Sequence, residues 1–133
     1  MGPFTSEAIV FISRFEVRLG HLTALRLMWD SVGASLERAK PRTLAYLGYT
    51  SDGGAELTIV HVFPDGDAMA AHVAGSDDRS RAAYEHVRPA GWEIYGSAPE
   101  DVVAQLGEAA LAGGVDLTIH RGAIGGFLRL SAP

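Results

Sequence analysis

The chain opens on a β-branched run. Residues 8–17, AIVFISRFEV, place Ile9, Phe11, Ser13, Phe15 and Val17 on one parity and Val10, Ile12, Arg14 and Glu16 on the other. Such residues fit a pleated, half-buried surface, so a strand is expected, with one face apolar and the other turning polar at its far end. Gly20 breaks the alternation. Across 21–40, Leu22, Leu25, Trp29, Val32 and Leu36 recur at spacings of three and four, the period of a helix with one buried stripe. Pro41 disfavours helical geometry at Lys40 and should end that helix. Residues 43–50 and 55–63 read as antiparallel strands joined at Ser51-Asp52-Gly53-Gly54, where glycine supplies the positive φ of a tight turn. The later strand carries Leu57, Ile59, His61 and Phe63 on one face and Glu56, Thr58, Val60 and Val62 on the other.

Asp65 is placed as the N-cap of a helix over 66–74, whose buried face takes Met69, His72 and Val73. After Gly75, Ser76 is expected to cap a short helix to about 87, with Asp77 and Arg81 one turn apart. Pro89-Ala90-Gly91 should break the chain before a fourth strand over 92–97. Ser97-Ala98-Pro99-Glu100 has the spacing of a capping box and opens a helix to about 111, packing Val102 or Val103 with Leu106, Ala109 and Ala110. Val115, Leu117 and Ile119 then alternate as a half-buried strand, with 124–130 as its expected hairpin partner.

The order is β-α-β-β-α(α)-β followed by an α-β-β tail. Residues 9–50 and 56–97 are each a β-α-β unit, and two such units make a ferredoxin-like plait of α+β class, one antiparallel sheet with both crossovers on one face. Several strands are apolar on both parities, so the face without helices also needs a cover. A second copy of the same sheet is the simplest cover, and a homodimer is expected. The chain is read as a single domain over 1–133, with a core at 8–97 and an extension at 98–133.

Composition narrows the chemistry. The 133 residues are 47% hydrophobic and 20% charged, which excludes a disordered chain. Cysteine is absent, excluding disulfides, thiolate metal centres and a thiol nucleophile. The net charge is −5 and the arginines are scattered among acids, so there is no basic stripe for nucleic acid. No apolar run approaches the ~18 residues of a membrane helix, and the start Met-Gly-Pro-Phe-Thr-Ser-Glu lacks a signal-peptide core. A soluble cytoplasmic protein is expected, with no nucleic-acid or membrane partner.

His61 and His72 are the candidate catalytic residues. Each lies on the apolar face of its element, where a histidine either serves the core or joins a cleft. Two imidazoles in one cleft, with unperturbed pKa near ~6.5, suit removal of a phenolic or enolic proton. No third ligand stands at a metal-binding spacing, so no metal is expected. Trp29, Tyr46, Tyr49, Trp92 and Tyr95 are core aromatics or, if several line one cleft, a surface for a flat polycyclic ligand. There is no nucleophile-elbow pattern, and Gly122-Ala-Ile-Gly125-Gly126 reads as a turn or strand kink.

The segment Thr58-Ile-Val-His61-Val-Phe63-Pro-Asp65-Gly-Asp-Ala-Met69-Ala-Ala-His72-Val resembles the central motif of dimeric α/β-barrel proteins of the antibiotic biosynthesis monooxygenase type. In that group a strand ends in an aromatic, an Asp caps the next helix and a His follows seven residues after the Asp; Phe63, Asp65 and His72 fit. The likeness extends over residues 8–97. It implies a small cofactor-independent enzyme, monooxygenase-like or cyclase-like, acting on an apolar aromatic or polyketide-type metabolite. Trp29, Tyr46, Phe63 and Tyr49 would then bind the ring system. The best-described oxygenases of the group use an active-site asparagine, and this chain contains none. That shifts the expected chemistry toward histidine and tyrosine. The alternative function is a non-catalytic dimer that binds a small molecule or a protein.

Overall fold

The computed structural model describes residues 7–129. Nine elements follow in order: β1 (Ile9–Val17), α1 (Leu22–Ala39), β2 (Ala45–Thr50), β3 (Glu56–Phe63), α2 (Gly66–Val73), α3 (Ser76–Ala83), β4 (Val87–Tyr95), α4 (Glu100–Ala112) and β5 (Leu117–His120). The sheet order is β2-β3-β1-β4-β5. Its first four strands are antiparallel neighbours, as a ferredoxin-like plait requires, and β5 adds to the edge parallel to β4. A parallel neighbour needs a crossover, and α4 is that crossover.

All four helices lie over one sheet face. Ile9, Phe11, Phe63, Trp92 and Ile94 from that face pack with Met69 and Val73 of α2 and with Val102, Leu106 and Ala110 of α4. Leu57 and Val87 pack with Leu25 of α1, and Ala83 of α3 joins that cluster. On the opposite face Val10, Ile12, Val60 and Val62 are only half-buried, while Leu47 and Tyr49 are 46% and 58% exposed.

Where the chain departs from its pattern, backbone chemistry gives the reason. Pro89-Ala90-Gly91 does not break the chain but lies within β4. The register against β1 slips between Arg14 and Phe15, so Ala90 is an extra residue in a bulge and Gly91 takes φ +138° there. Proline lacks the ladder N–H and is tolerated at such a bulge. No capping box forms at Ser97. Pro99 is the N-cap, without a side-chain cap bond. Proline disfavours helical geometry at Ala98, which leaves Ser97 too far upstream to cap. Gly75, left-handed at φ +73°, takes the cap position expected of Ser76, and the acid paired with Arg81 is Asp78 rather than Asp77. The helix also ends sooner, at Ala83. The C-terminal extension is an α-β unit: residues 121–129 form no strand, so the expected 124–130 hairpin partner is not seen, and Leu130 lies outside the described residues. No helix among the described residues is long and apolar enough to cross a membrane.

Two polar clasps tie α2 to the segment that joins α1 and β2. Asp65 accepts from the Ala68 N–H at 2.9 Å through one oxygen and from the Arg42 guanidinium through the other. These partners hold the Asp65 carboxyl below its ordinary range, the arginine bond being the larger cause. At the other end Lys40, the only lysine, donates to the carbonyls of Ala71 at 2.6 Å and Ala74 at 3.2 Å. Those are carbonyls a helix leaves unpaired at its C-terminus. Asp65→Ala should therefore lower the urea denaturation midpoint, because it removes the N-cap bond and the Arg42 partner. An unchanged midpoint would mean that packing alone holds the start of α2.

Candidate functional site

Strand register assembles the site. Tyr46 on β2 is directly opposite His61 on β3, and His61 is opposite Phe11 on β1. All three face the helices. The Phe11 carbonyl can only accept, so the 3.0 Å contact from His61 Nδ1 means that Nδ1 carries the proton. In the neutral ring, Nε2 is then left with its lone pair. His72 enters from α2 with its ring centroid 5.2 Å from that of His61, nearly perpendicular. His72 Nδ1 meets the Thr43 hydroxyl at 2.8 Å, and a hydroxyl can donate or accept. Trp29 of α1 stacks on Tyr46 at 4.6 Å and 9°. Gly48 makes room for that stack: a Cβ there would lie 2.7 Å from two Trp29 ring carbons.

Phe11, Trp29, Tyr46, His61 and His72 line a cavity of about 140 Å³ between the sheet and the helices. Its wall on α3 is Ser76, Arg79, Ser80 and Ala83. That is the i, i+3, i+4, i+7 spacing of one helical face, filled by small and polar residues in place of large apolar ones. The Arg79 guanidinium donates to the His72 carbonyl at 2.8 Å. At the other side of the cavity are Ser13, 3% exposed, and Trp92, 5% exposed. The Trp92 indole N–H is the only buried side-chain polar atom among the described residues without a hydrogen-bond partner.

Burial governs the electrostatics. Desolvation pushes His61 down to about 4, the hydrogen bond to Phe11 opposing and Arg79 adding to the fall. Desolvation likewise lowers His72 to about 3, reinforced by His61, Arg79 and Lys40. The Tyr46 phenol rises to about 12, chiefly through burial, with Arg79 pulling the other way. At neutral pH both imidazoles and the phenol are therefore uncharged. Arg79 lends the cavity a positive potential, which favours an anionic ligand or an anion formed in place.

Four of the six residues expected to act meet at the cavity: His61, His72, Trp29 and Tyr46. Phe63 does not reach the cavity wall. It is fully buried, with its ring 6.2 Å from that of His61 and 5.3 Å from that of His72. Tyr49 is three residues from Tyr46, so strand alternation turns it to the opposite, solvent-facing side. His120 stacks on Tyr95, whose hydroxyl donates to Glu93, away from the imidazole pair. Arg79 was absent from the expected set because it stands among acids, yet the polar stripe on α3 marks it. No group of three or more His, Asp or Glu gathers as a metal set among the described residues.

Comparison with solved structures places the fold. MupZ from Pseudomonas fluorescens superposes with a TM-score of 0.64 at 14% identity, covering 90% of this chain and 94% of that one. Rv0793 from Mycobacterium tuberculosis gives 0.56 at 25% identity, covering 70% and 97%. SnoaB, a cofactor-independent oxygenase from Streptomyces nogalater, gives 0.59 at 17% identity, covering 70% and 95%. The chain therefore shares the ferredoxin-like α+β fold of these structures. The match to MupZ is long enough to include part of the 98–133 extension. No family model and no curated protein matches the sequence.

The histidine shifts carry a stability prediction. Their folded pKa values lie below the unfolded value, so the native state resists protons that the unfolded chain accepts. Stability is full above ~6.5 and falls as pH drops from there toward the folded values. Between ~6.5 and about pH 5 the loss should be about 2 kcal/mol per histidine. Urea denaturation at the two pH values measures it, and His72→Gln should remove about half. A pH-independent midpoint in that window would show that the imidazoles are hydrated.

Proposed function

We propose that the protein is a small cofactor-independent enzyme that removes a proton from an apolar aromatic or polyketide-type ligand bound in this cavity. The observation that carries the reading is the convergence of two neutral imidazoles and one guanidinium on an aromatic-walled cavity. His61 Nε2 and His72 are the proton acceptors. Trp29 and Tyr46 hold the ring, and Arg79 stabilises the resulting enolate or phenolate. Taking a proton from a phenol of pKa about 10 onto an imidazole of pKa about 4 is uphill by roughly 8 kcal/mol. That fits beneath the barrier of an enzyme turning over at ~10 per second. Pairing the new anion with the new imidazolium lowers it further.

In the oxygenation branch, the carbanion form of a ring CH2 adds O2 as a hydroperoxide after electron transfer. Loss of water then leaves a ketone, with one oxygen atom in the product and one in the water. In the cyclisation branch the same enolate carbon attacks a carbonyl within the ligand. SnoaB, a cofactor-independent oxygenase of similar fold, lends support to the first branch.

The weak basicity of both imidazoles also favours a second reading, a dimer that binds such ligands without turnover. We further propose a cytoplasmic homodimer. Its support is the half-buried row of Val10, Ile12, Val60 and Val62 on the face without helices. Light scattering should report twice the 14.1 kDa of one chain, and a monomer at micromolar concentration would refute this.

The catalytic test is turnover of a panel of anthrones and poly-β-ketone mimics. His61→Ala and His72→Ala should lower kcat/KM by about 10²-fold or more, and Arg79→Ala should do so for ligands that form the anion. Because both bases are already deprotonated, kcat/KM should be flat from about pH 6 to 8 rather than rising through ~6.5. Unchanged turnover in both histidine variants removes the proposed bases. Binding without turnover by the wild type selects the second reading.

A further inference from the structure

We propose that the Trp92 indole N–H, together with Ser13, forms a second polar subsite of the cavity, built for an uncharged acceptor oxygen such as a ring ketone or quinone carbonyl. It rests on the reading of the cavity as an aromatic-ligand site, but not on the proton transfer.

The argument begins with an unmade bond. Trp92 is 5% exposed and borders the cavity, and among the described residues no group accepts its N–H. A buried donor left unpaired is costly, so such groups nearly always have a partner, from water or a ligand if not from protein. Three other polar groups at the cavity do have protein partners: His61 Nδ1 with the Phe11 carbonyl, His72 with Thr43, and Arg79 with the His72 carbonyl.

Indole is a donor only, so the missing partner is an acceptor. The surroundings decide its charge. Phe11 meets Trp92 edge-on at 6.3 Å and Phe15 lies tilted against it at 6.1 Å. Its directly opposed residue on β1 is Ser13, buried and also on the cavity wall. Rings and a hydroxyl suit a neutral carbonyl, whose desolvation is far cheaper than that of a carboxylate.

The sheet sets the spacing. His61 on β3 is opposite Phe11 and Trp92 on β4 is opposite Ser13, so the two are separated by two inter-strand steps and two residues along β1, roughly 12 Å. A ligand that fills both ends therefore has an acidic hydroxyl at one end of an extended ring system and a carbonyl at the other. This gives the cavity a direction: the anion forms among His61, His72 and Arg79, and the neutral oxygen docks at Trp92.

Two fluorescent probes test it. 2-Naphthol has the hydroxyl alone, and 6-acetyl-2-naphthol adds a ketone at the opposite end of the two rings. The wild type should bind the acetyl compound about tenfold more tightly, and Trp92→Phe should bring that ratio close to unity with little change for 2-naphthol. Ser13→Ala should reduce the ratio less.

A direct readout avoids dependence on how well the variant folds. The protein has two tryptophans, so Trp29→Phe assigns the Trp92 indole N–H resonance. In the wild type that resonance should move downfield with the acetyl probe and stay put with 2-naphthol. A ratio preserved in Trp92→Phe, an unmoved resonance, or no binding of either probe overturns the subsite. A wild-type ratio near unity with the histidine effects intact defeats the subsite alone. A retained ratio with catalytically silent histidine variants defeats the proposed enzyme and leaves the subsite standing.

Discussion

Side chains alternate across a strand, so the register that sets Tyr46 opposite His61 and His61 opposite Phe11 puts a phenol, an imidazole and a phenyl in one row under the helices. A slip of one residue in β3 would exchange His61 for Val60 or Val62 and leave the cavity without its strand imidazole. The register itself is held by the apolar residues of the same parity, Leu57 and Phe63, which are buried on either side of the histidine. Core packing and site geometry are thus one constraint. The helices complete it: α2 brings His72 to His61, α1 lays Trp29 over Tyr46 across Gly48, and α3 contributes a polar stripe with Arg79.

Burial then determines the chemistry of these groups. Away from water the imidazoles are neutral and the phenol is held protonated, while Arg79 lends the cavity positive potential. The chain contains no asparagine, so the donors at the cavity are residues of other types. The cavity offers an arginine, serines and an indole N–H. A site built this way favours proton transfer to neutral bases beside a fixed cation over chemistry that starts from an ionised histidine.

Much of this was legible from periodicity. The β-α-β-β-α-β order, the Asp65 cap, and the inward faces of His61 and His72 all follow from spacings of two, three and four residues. Tyr46 and Tyr49 illustrate both the strength and the misuse of that rule, because their separation of three already puts them on opposite faces. Phe63 is aromatic at the right place in a motif, yet strand parity alone does not say how deep a side chain lies. The β4 boundary was hidden because a bulge lets Pro89 and Gly91 remain in a strand. Arg79 was obscured by its neighbours Asp77, Asp78 and Arg81, which suggest a solvated helix. Its inward direction came from Ser76, Ser80 and Ala83, residues too small to draw attention by hydrophobicity.

The central claim is that His61 and His72 share a dry cavity and are neutral there. NMR titration of the two imidazole rings tests it most directly, with His61→Gln and His72→Gln assigning the signals. The account predicts that both remain neutral down to about pH 5 and that His61 carries its proton on Nδ1. Titration of either ring near ~6.5, or a His61 proton on Nε2, would contradict it.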